Sequence, residues 1–170
     1  MQTINIKRYD NTWPEEFKRI KSSLFPRIDG LIEDIVHVGS TSVPGLPAEP
    51  IIDMNIVVGS YDVFPELAER LGALGYIEEN GCGADGRGRF RKDSGGPVTH
   101  YLGVCLKDSD ELFRQTAFRD YLIEHPSRAG EYGILKSYLA LKFPFDIDSY
   151  TAGKQGFIER AVEEAMGEMP

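Results

Sequence analysis

The stretch from His37 to Val58, HVGSTSVPGLPAEPIIDMNIVV, limits the possible folds more tightly than any other part of the chain. Ile35, Val36 and Val38 run into Gly39-Ser40, and the segment Thr41 to Pro50 then holds three prolines and Gly45. Proline removes a backbone donor and restricts φ, so this segment neither continues a strand nor forms a helix interior. It is a shaped loop. After it, Ile51 to Val58 is β-branched and almost wholly apolar, the composition of a strand buried on both faces. Asp53 and Asn55 interrupt it, and because strand side chains alternate, both point to the same face. A buried carboxylate without a partner is costly, which predicts a group that pairs with Asp53.

A length of 170 residues suits one domain spanning 1–170, large enough for a real core. The 41% apolar and 27% charged fractions are those of a soluble globular protein, and no uninterrupted apolar run approaches a membrane span. MQTINIKRYDNTW lacks the apolar core of a secretory signal, so a cytoplasmic location is expected and no membrane partner. Cys82 and Cys105 lack the spacing of a zinc site and read as free thiols. A net charge of -8 argues against nucleic acid as a partner, because such binding runs largely on phosphate neutralisation. It leaves room for a small polyphosphate held by a local basic patch.

Thr12-Trp13-Pro14-Glu15 has the spacing of a capping box and predicts a helix with Phe17, Ile20 and Leu24 inward, closed by Pro26 and Gly30. A first strand is expected over 34–39, a second helix over 64–74 after Gly59-Ser60, and a third strand opening at Tyr76-Ile77. The glycine-rich segment Asn80 to Gly88 reads as a mobile loop. Positions 87–106 read as an antiparallel hairpin that places Arg87, Arg89 and Arg91 on one face and Phe90 on the other. The last third is helical: a helix capped by Asp108 or Ser109 and stopped by Pro126, a second capped by Ser127, and a third capped by Asp148 or Ser149. Phe157, Ile158, Ala161, Val162, Ala165 and Met166 keep helical spacing in that last helix. This order implies an α+β architecture, a mixed or antiparallel sheet packed with helices and followed by a helical C-terminal third.

The residues that carry a resemblance are now all in view: His37 to Leu46, Pro50-Ile51-Ile52-Asp53, Gly86-Arg87, Phe90-Arg91-Lys92, Thr99-His100, Phe118 to Leu122 and His125-Pro126. Further along come Tyr132, Leu135-Lys136, Leu139-Ala140, Tyr150-Thr151, Lys154 and Phe157-Ile158. In these the chain resembles the GrpB-like proteins, a branch of the nucleotidyltransferase superfamily. The resemblance implies a nucleotidyltransferase-like αβ fold, with Gly39, Ser40 and Thr41 in the phosphate loop and Asp53 at the metal-binding and catalytic carboxylate position. The second acid of the superfamily falls at Asn55. The implied ligands are a nucleoside triphosphate and Mg²⁺, and the implied reaction is nucleotidyl transfer to a small-molecule hydroxyl. Such chemistry needs a carboxylate to hold the metal over the phosphates and small residues that let the phosphates approach. It also needs neutralisation of the leaving pyrophosphate.

The departures from the family pattern are Glu49 where relatives usually carry lysine, and His100-Tyr101-Leu102-Gly103 where they tend to show a His-His-Leu-His run. These, with Asn55, keep open a second reading: a catalytically degenerate relative that binds an anionic small molecule or a protein partner. Individual residues have plain alternatives too. Asp53 can be a buried structural aspartate, and the arginine face a charged edge that resists aggregation. His100 can be a packed histidine. Lys136 and Lys154, which leave from the apolar stripes of their helices, can snorkel to solvent or reach phosphates across the sheet. Arg87, Arg91 and His100 are expected beside the phosphates, and Arg119 either reaches the same ligand or pairs with nearby carboxylates.

Overall fold

The computed structural model describes residues 3–79, 88–93 and 95–168. Its centre is the strand β2 (Ile52–Val58), five of whose seven residues are apolar, and it is flanked on both sides by other strands. Four further strands complete the sheet: β1 (Asp34–Val38), β3 (Ile77–Glu79), β4 (Arg89–Asp93) and β5 (Val98–Leu106). Their spatial order is β1-β2-β5-β4-β3. β2 and β5 run parallel, whereas the other neighbours pair antiparallel, so the sheet is mixed. The expected hairpin is β4 and β5, in which Phe90 is buried while Arg89 stays exposed. Arg87 and most of the glycine-rich stretch lie outside the described residues.

Register assigns every side chain to one of two faces. Ile35, Met54, Ile56, Phe90 and Leu102 share one face and join Ile20, Leu24, Leu67 and Leu71 in the main core. These last four come from the helices α1 (Trp13–Ile28) and α2 (Phe64–Ala73). The other face carries Asp53, Asn55, Tyr101 and Gly103. At that side stand α3 (Asp110–Glu124), α4 (Pro126–Lys142) and α5 (Ile147–Glu168), packed with Val43 and Leu46 of the proline-rich loop. The N-terminal segment clips this loop from outside, with Lys7 and Ala48 exchanging backbone hydrogen bonds of 2.8 and 2.9 Å.

Helix starts differ from expectation in three places. Thr12 makes no capping bond; its amide and hydroxyl instead donate to Asp10 Oδ1 at 2.8 and 2.7 Å, so the aspartate two residues earlier does the work assigned to the capping box. Ser127 lies inside α4, which begins at Pro126, where the missing N–H costs nothing. Asp146, not Asp148 or Ser149, caps α5: it accepts from the Ser149 amide at 3.0 Å and from its hydroxyl at 2.6 Å. Ser109 does cap α3, its Oγ accepting from the Leu112 amide at 3.3 Å. Removing that acceptor in Ser109→Ala is expected to lower unfolding free energy by about 1 kcal/mol, measurable as a urea midpoint shift at unchanged slope.

Candidate functional site

The site begins at Gly39. Its backbone lies at φ 72 and ψ -175, a region essentially reserved for glycine, and it turns β1 into the short 3-10 segment Ser40–Ser42. A side-chain carbon added at Gly39 would lie 2.6 Å from Asp53 Oδ2 and 2.9 Å from Asp53 Cβ. The glycine is therefore needed for two reasons, its backbone angle and the approach of the aspartate, which sits opposite Val38 on the neighbouring strand. Thr41 is buried and its hydroxyl lies 2.9 Å from His37 Nε2, which pins the loop to β1.

Beyond Asp53 opens a cavity of about 640 Å³ lined by Ser40, Thr41, Glu49, Arg89, Lys136 and Lys154, among others. Lys136 comes from the inner side of α4, donates to the Pro47 carbonyl at 2.5 Å and stands 5.0 Å from the Tyr132 ring centroid. Lys154 comes from α5 and lies 4.2 Å from the Tyr150 ring centroid. Both point across the sheet toward Asp53 instead of snorkelling to solvent. Arg89 rests on Tyr101 at 3.8 Å, guanidinium over ring. Ile4, Tyr150 and Ile147 close the apolar part of the wall.

The electrostatics follow from enclosing these charges together. Burial pushes the Asp53 carboxyl up to about 6, although Arg89, Lys154 and Lys136 pull the other way. Among the described residues no donor lies within hydrogen-bond distance of that carboxylate. Burial raises Glu49 as well, against the pull of Lys154 and Lys136. Lys136 is pushed down to about 7, first by burial and then by Lys154, with Glu49 and Asp53 holding it up. Burial likewise lowers Lys154. A cavity with three cations and two incompletely neutralised carboxylates is suited to a ligand that carries negative charge and can bring a cation with it.

The structure brings Gly39, Ser40, Thr41, Asp53, Lys136 and Lys154 together, and it separates three other expected site residues from them. Asn55 is buried, and its amide donates to Gln115 Oε1 of α3 at 2.5 Å, which turns it away from the cavity. Gly103 is what admits it, since a carbon there would lie 2.5 Å from Asn55 Oδ1. Arg91 is spent on structural ion pairs, its Nε 3.0 Å from Asp93 Oδ2 and its Nη1 3.2 Å from Glu79 Oε1. His100 lies on the opposite face of the sheet, with Leu102 and Phe90. There Thr99 Oγ1 donates to the Lys92 carbonyl at 3.2 Å, which leaves that oxygen to accept from His100 Nδ1 at 3.0 Å. Nε2 lies 2.8 Å from the Tyr76 hydroxyl, so both ring nitrogens are engaged, and burial favours the neutral imidazole. Arg119 pairs with Asp120 at 2.7 Å and donates to the His37 carbonyl at 2.8 Å. Arg87 lies outside the described residues.

Cavity residues to which the sequence reading gave no ligand role are Tyr101, Tyr150 and the N-terminal wall at Ile4, whereas Glu49 stands where relatives usually carry a lysine. Arg89 belonged to the cationic hairpin face already, and the period-two pair Ile4 and Ile6 was a readable strand-like signal.

Two imidazoles, His100 buried and His37 half-buried, set a pH dependence of stability. Burial pushes His37 down to about 4, helped by the Arg119 charge, and pushes His100 down to about 4, helped by Lys92. Their folded values lie below the ordinary 6.5, so between about 4 and 6.5 the unfolded chain binds more protons and stability falls as pH is lowered. The double variant His37→Gln with His100→Gln is expected to lose less melting temperature between pH 6.5 and pH 4.5 than the parent does. An equal loss would contradict the neutral state of both rings in the folded chain.

Comparison with known proteins gives the same fold. A protein-family model described as "GrpB protein" matches residues 3–164. The UPF0157 protein YqkA of Bacillus subtilis is 37% identical over 162 residues, covering 95% of this chain and 47% of that protein. The chain thus spans about half the length of this relative. The crystal structure of the conserved protein GrpB from Enterococcus faecalis superposes with a TM-score of 0.87 at 33% identity, covering 96% and 98% of the two chains. The Cid1 poly(U) polymerase superposes with a TM-score of 0.53 at 14% identity over 79% of this chain and 42% of its own. That last likeness is one of fold alone: the chain shares the fold of the matched part of that polymerase.

Proposed function

Because this chain belongs to the GrpB protein family, we propose that its cavity binds a nucleoside triphosphate with Mg²⁺ and transfers the nucleotidyl group to the hydroxyl of a small-molecule acceptor. One observation carries the reading: Asp53, pressed against the Gly39 turn and without a donor among the described residues, faces a cavity whose cations are Lys136, Lys154 and Arg89.

A single Mg²⁺ fits the residues present. It typically takes one or two carboxylates and fills its remaining positions with phosphate oxygens and water, so Asp53 with a bound triphosphate is sufficient. Two ions do not fit. Among the described residues no three metal-ligating side chains cluster, and Asn55 faces Gln115. The ion, when bound, supplies charge neutralisation on the phosphate oxygens. Lys136, Lys154 and Arg89 supply further positive charge where negative charge builds up on the leaving pyrophosphate. Ser40 and Thr41 bring the loop backbone to the phosphates, and Tyr150 and Ile147 form an apolar wall that excludes water from one side.

The test is thermal melting with millimolar Mg²⁺ and each common nucleoside triphosphate, followed by a pyrophosphate-release assay with a panel of hydroxyl acceptors. A shift with any triphosphate supports binding, since a ligand that binds only the folded state stabilises it. The absence of any shift sinks the proposal. The engagement of Asn55 by Gln115 and the position of Glu49 in the cavity favour a second reading, an anion-binding relative without turnover. Pyrophosphate release above background would exclude it.

The proposal carries a pH dependence. Phosphates favour the charged form of Lys136, whose value in the free chain is about 7, so binding takes up a proton above neutral pH. Affinity is expected to fall steadily as pH rises through 7 to 9, and calorimetry in buffers of different ionisation enthalpy should register the proton taken up. Lys136→Met should weaken nucleotide binding and remove that proton uptake together.

A further inference from the structure

The inner side of α4 is accounted for: Ala129, Tyr132, Gly133, Leu139 and Ala140 are buried, and Lys136, buried beside them, faces the Asp53 cavity. Its outer side is also apolar. Ile134 is 74% exposed, Tyr138 57%, Leu141 84%, and Phe145, just past the end of the helix, 61%. Spacings of four and three residues put Ile134, Tyr138 and Leu141 on one stripe, the seam by which one helix pairs with another, and Phe145 follows just past the end of the helix. Isolated exposed apolar residues need no explanation, but three large ones in a row on one helix, with Phe145 close behind, mark an interaction surface.

The charges beside the stripe identify the occupant. Glu131 and Lys142 flank it at opposite ends, and on the helical wheel they fall on the same side of Tyr138, separated from it by about 20° and 40°. Both are exposed, although Glu131 also holds Arg128. A twofold axis crossing α4 midway between Ile134 and Leu141 brings up a second α4 running antiparallel. In that arrangement Ile134 meets Leu141 of the other copy, the two Tyr138 rings lie near each other, and Glu131 meets Lys142 on the same side, twice over. A parallel pairing would leave Glu131 of one copy and Lys142 of the other about 16 Å apart along the seam, so no pair of opposite charges would form. We propose that this face is a self-association surface, closed by α4 of a second copy of the chain in antiparallel orientation. Phe145 follows the stripe and belongs to the rim of the Asp53 cavity, so the second copy stands beside the mouth of that cavity.

Sedimentation equilibrium over roughly tens to hundreds of micromolar chain tests it. The parent chain should show a mass rising from one chain toward two. Ile134→Glu combined with Leu141→Glu should stay monomeric, with its melting temperature at low concentration unchanged because neither side chain is part of the core. Glu131→Lys or Lys142→Glu alone should weaken association roughly threefold to tenfold, since two symmetric pairs turn repulsive. The combined charge swap should restore it. A parent chain that remains monomeric throughout the range overturns the proposal. So does a dimer that survives Ile134→Glu with Leu141→Glu, or a charge swap that fails to restore association.

Discussion

An Asp53→Ala chain is expected to melt within a few degrees of the parent and to gain nothing from Mg²⁺ and a nucleoside triphosphate. The first half follows from the energetics of an enclosed carboxylate. Burial pushes Asp53 up to about 6, and among the described residues no donor satisfies it, so its charged form does not hold the fold together. Removing it takes away a favourable partner of Lys136 and Lys154, yet both lysines keep Glu49. Lys136 also keeps the Pro47 carbonyl. The second half follows because, among the described residues, Asp53 is the carboxylate that packs against the Gly39 turn, at the phosphate loop where the ion would sit. Asp53→Asn, which keeps the shape and loses the charge, should behave like Asp53→Ala toward magnesium-nucleotide. If Asp53→Asn retains the full thermal shift, Asp53 is not the metal ligand. If both variants unfold, the aspartate is structural.

Gly39→Ala is expected to harm both fold and binding. The backbone region that Gly39 occupies costs any other residue roughly 1–3 kcal/mol. The added carbon also meets Asp53 Oδ2 at 2.6 Å and Asp53 Cβ at 2.9 Å, and the latter sits on a central strand with no room to retreat. A loss of about 3 kcal/mol follows, and for a chain of this size a drop of about 6 to 12 °C in melting temperature. Where relief comes from rotating Asp53, the nucleotide shift should disappear even at temperatures where the variant is folded. A Gly39→Ala chain with the parent's melting temperature would show that the turn is not held as described. Gly45 is the useful control. It also has a positive φ, of 80°, but a carbon there meets nothing within 4 Å, so Gly45→Ala should bear the backbone cost alone.

The sequence was most legible where one physical rule decides locally. Three prolines within ten residues allowed only a shaped loop, a β-branched run allowed only a buried strand, and Asp53 and Asn55 had to share a face. The hairpin and the three C-terminal helices were likewise readable from periodicity. Helix caps were legible only in part, because several polar residues compete for the same orphan amides and tertiary packing chooses among them, as with Asp10 over Thr12 and Asp146 over Ser149.

What the sequence by itself determined is the pairing of a glycine turn with a strand-borne aspartate, a family pattern over nearly the whole chain, and the two lysines leaving from apolar helix faces. Tertiary structure decided which of these meet. The parallel register of β2 and β5 puts Tyr101 beside Asp53 and sends His100 through the sheet to Tyr76. α3 lands over Asn55 and removes it from the cavity, while Asp93 and Glu79 hold Arg91 at 3.0 and 3.2 Å; Arg89, whose Nε lies 3.8 Å from the same Glu79, is held more loosely and stands in the cavity wall. The reason is general to such sites. Alternation and spacing are properties of one segment, but whether a charge is spent on a structural pair or left for a ligand depends on what another segment, distant in sequence, brings within about 4 Å of it.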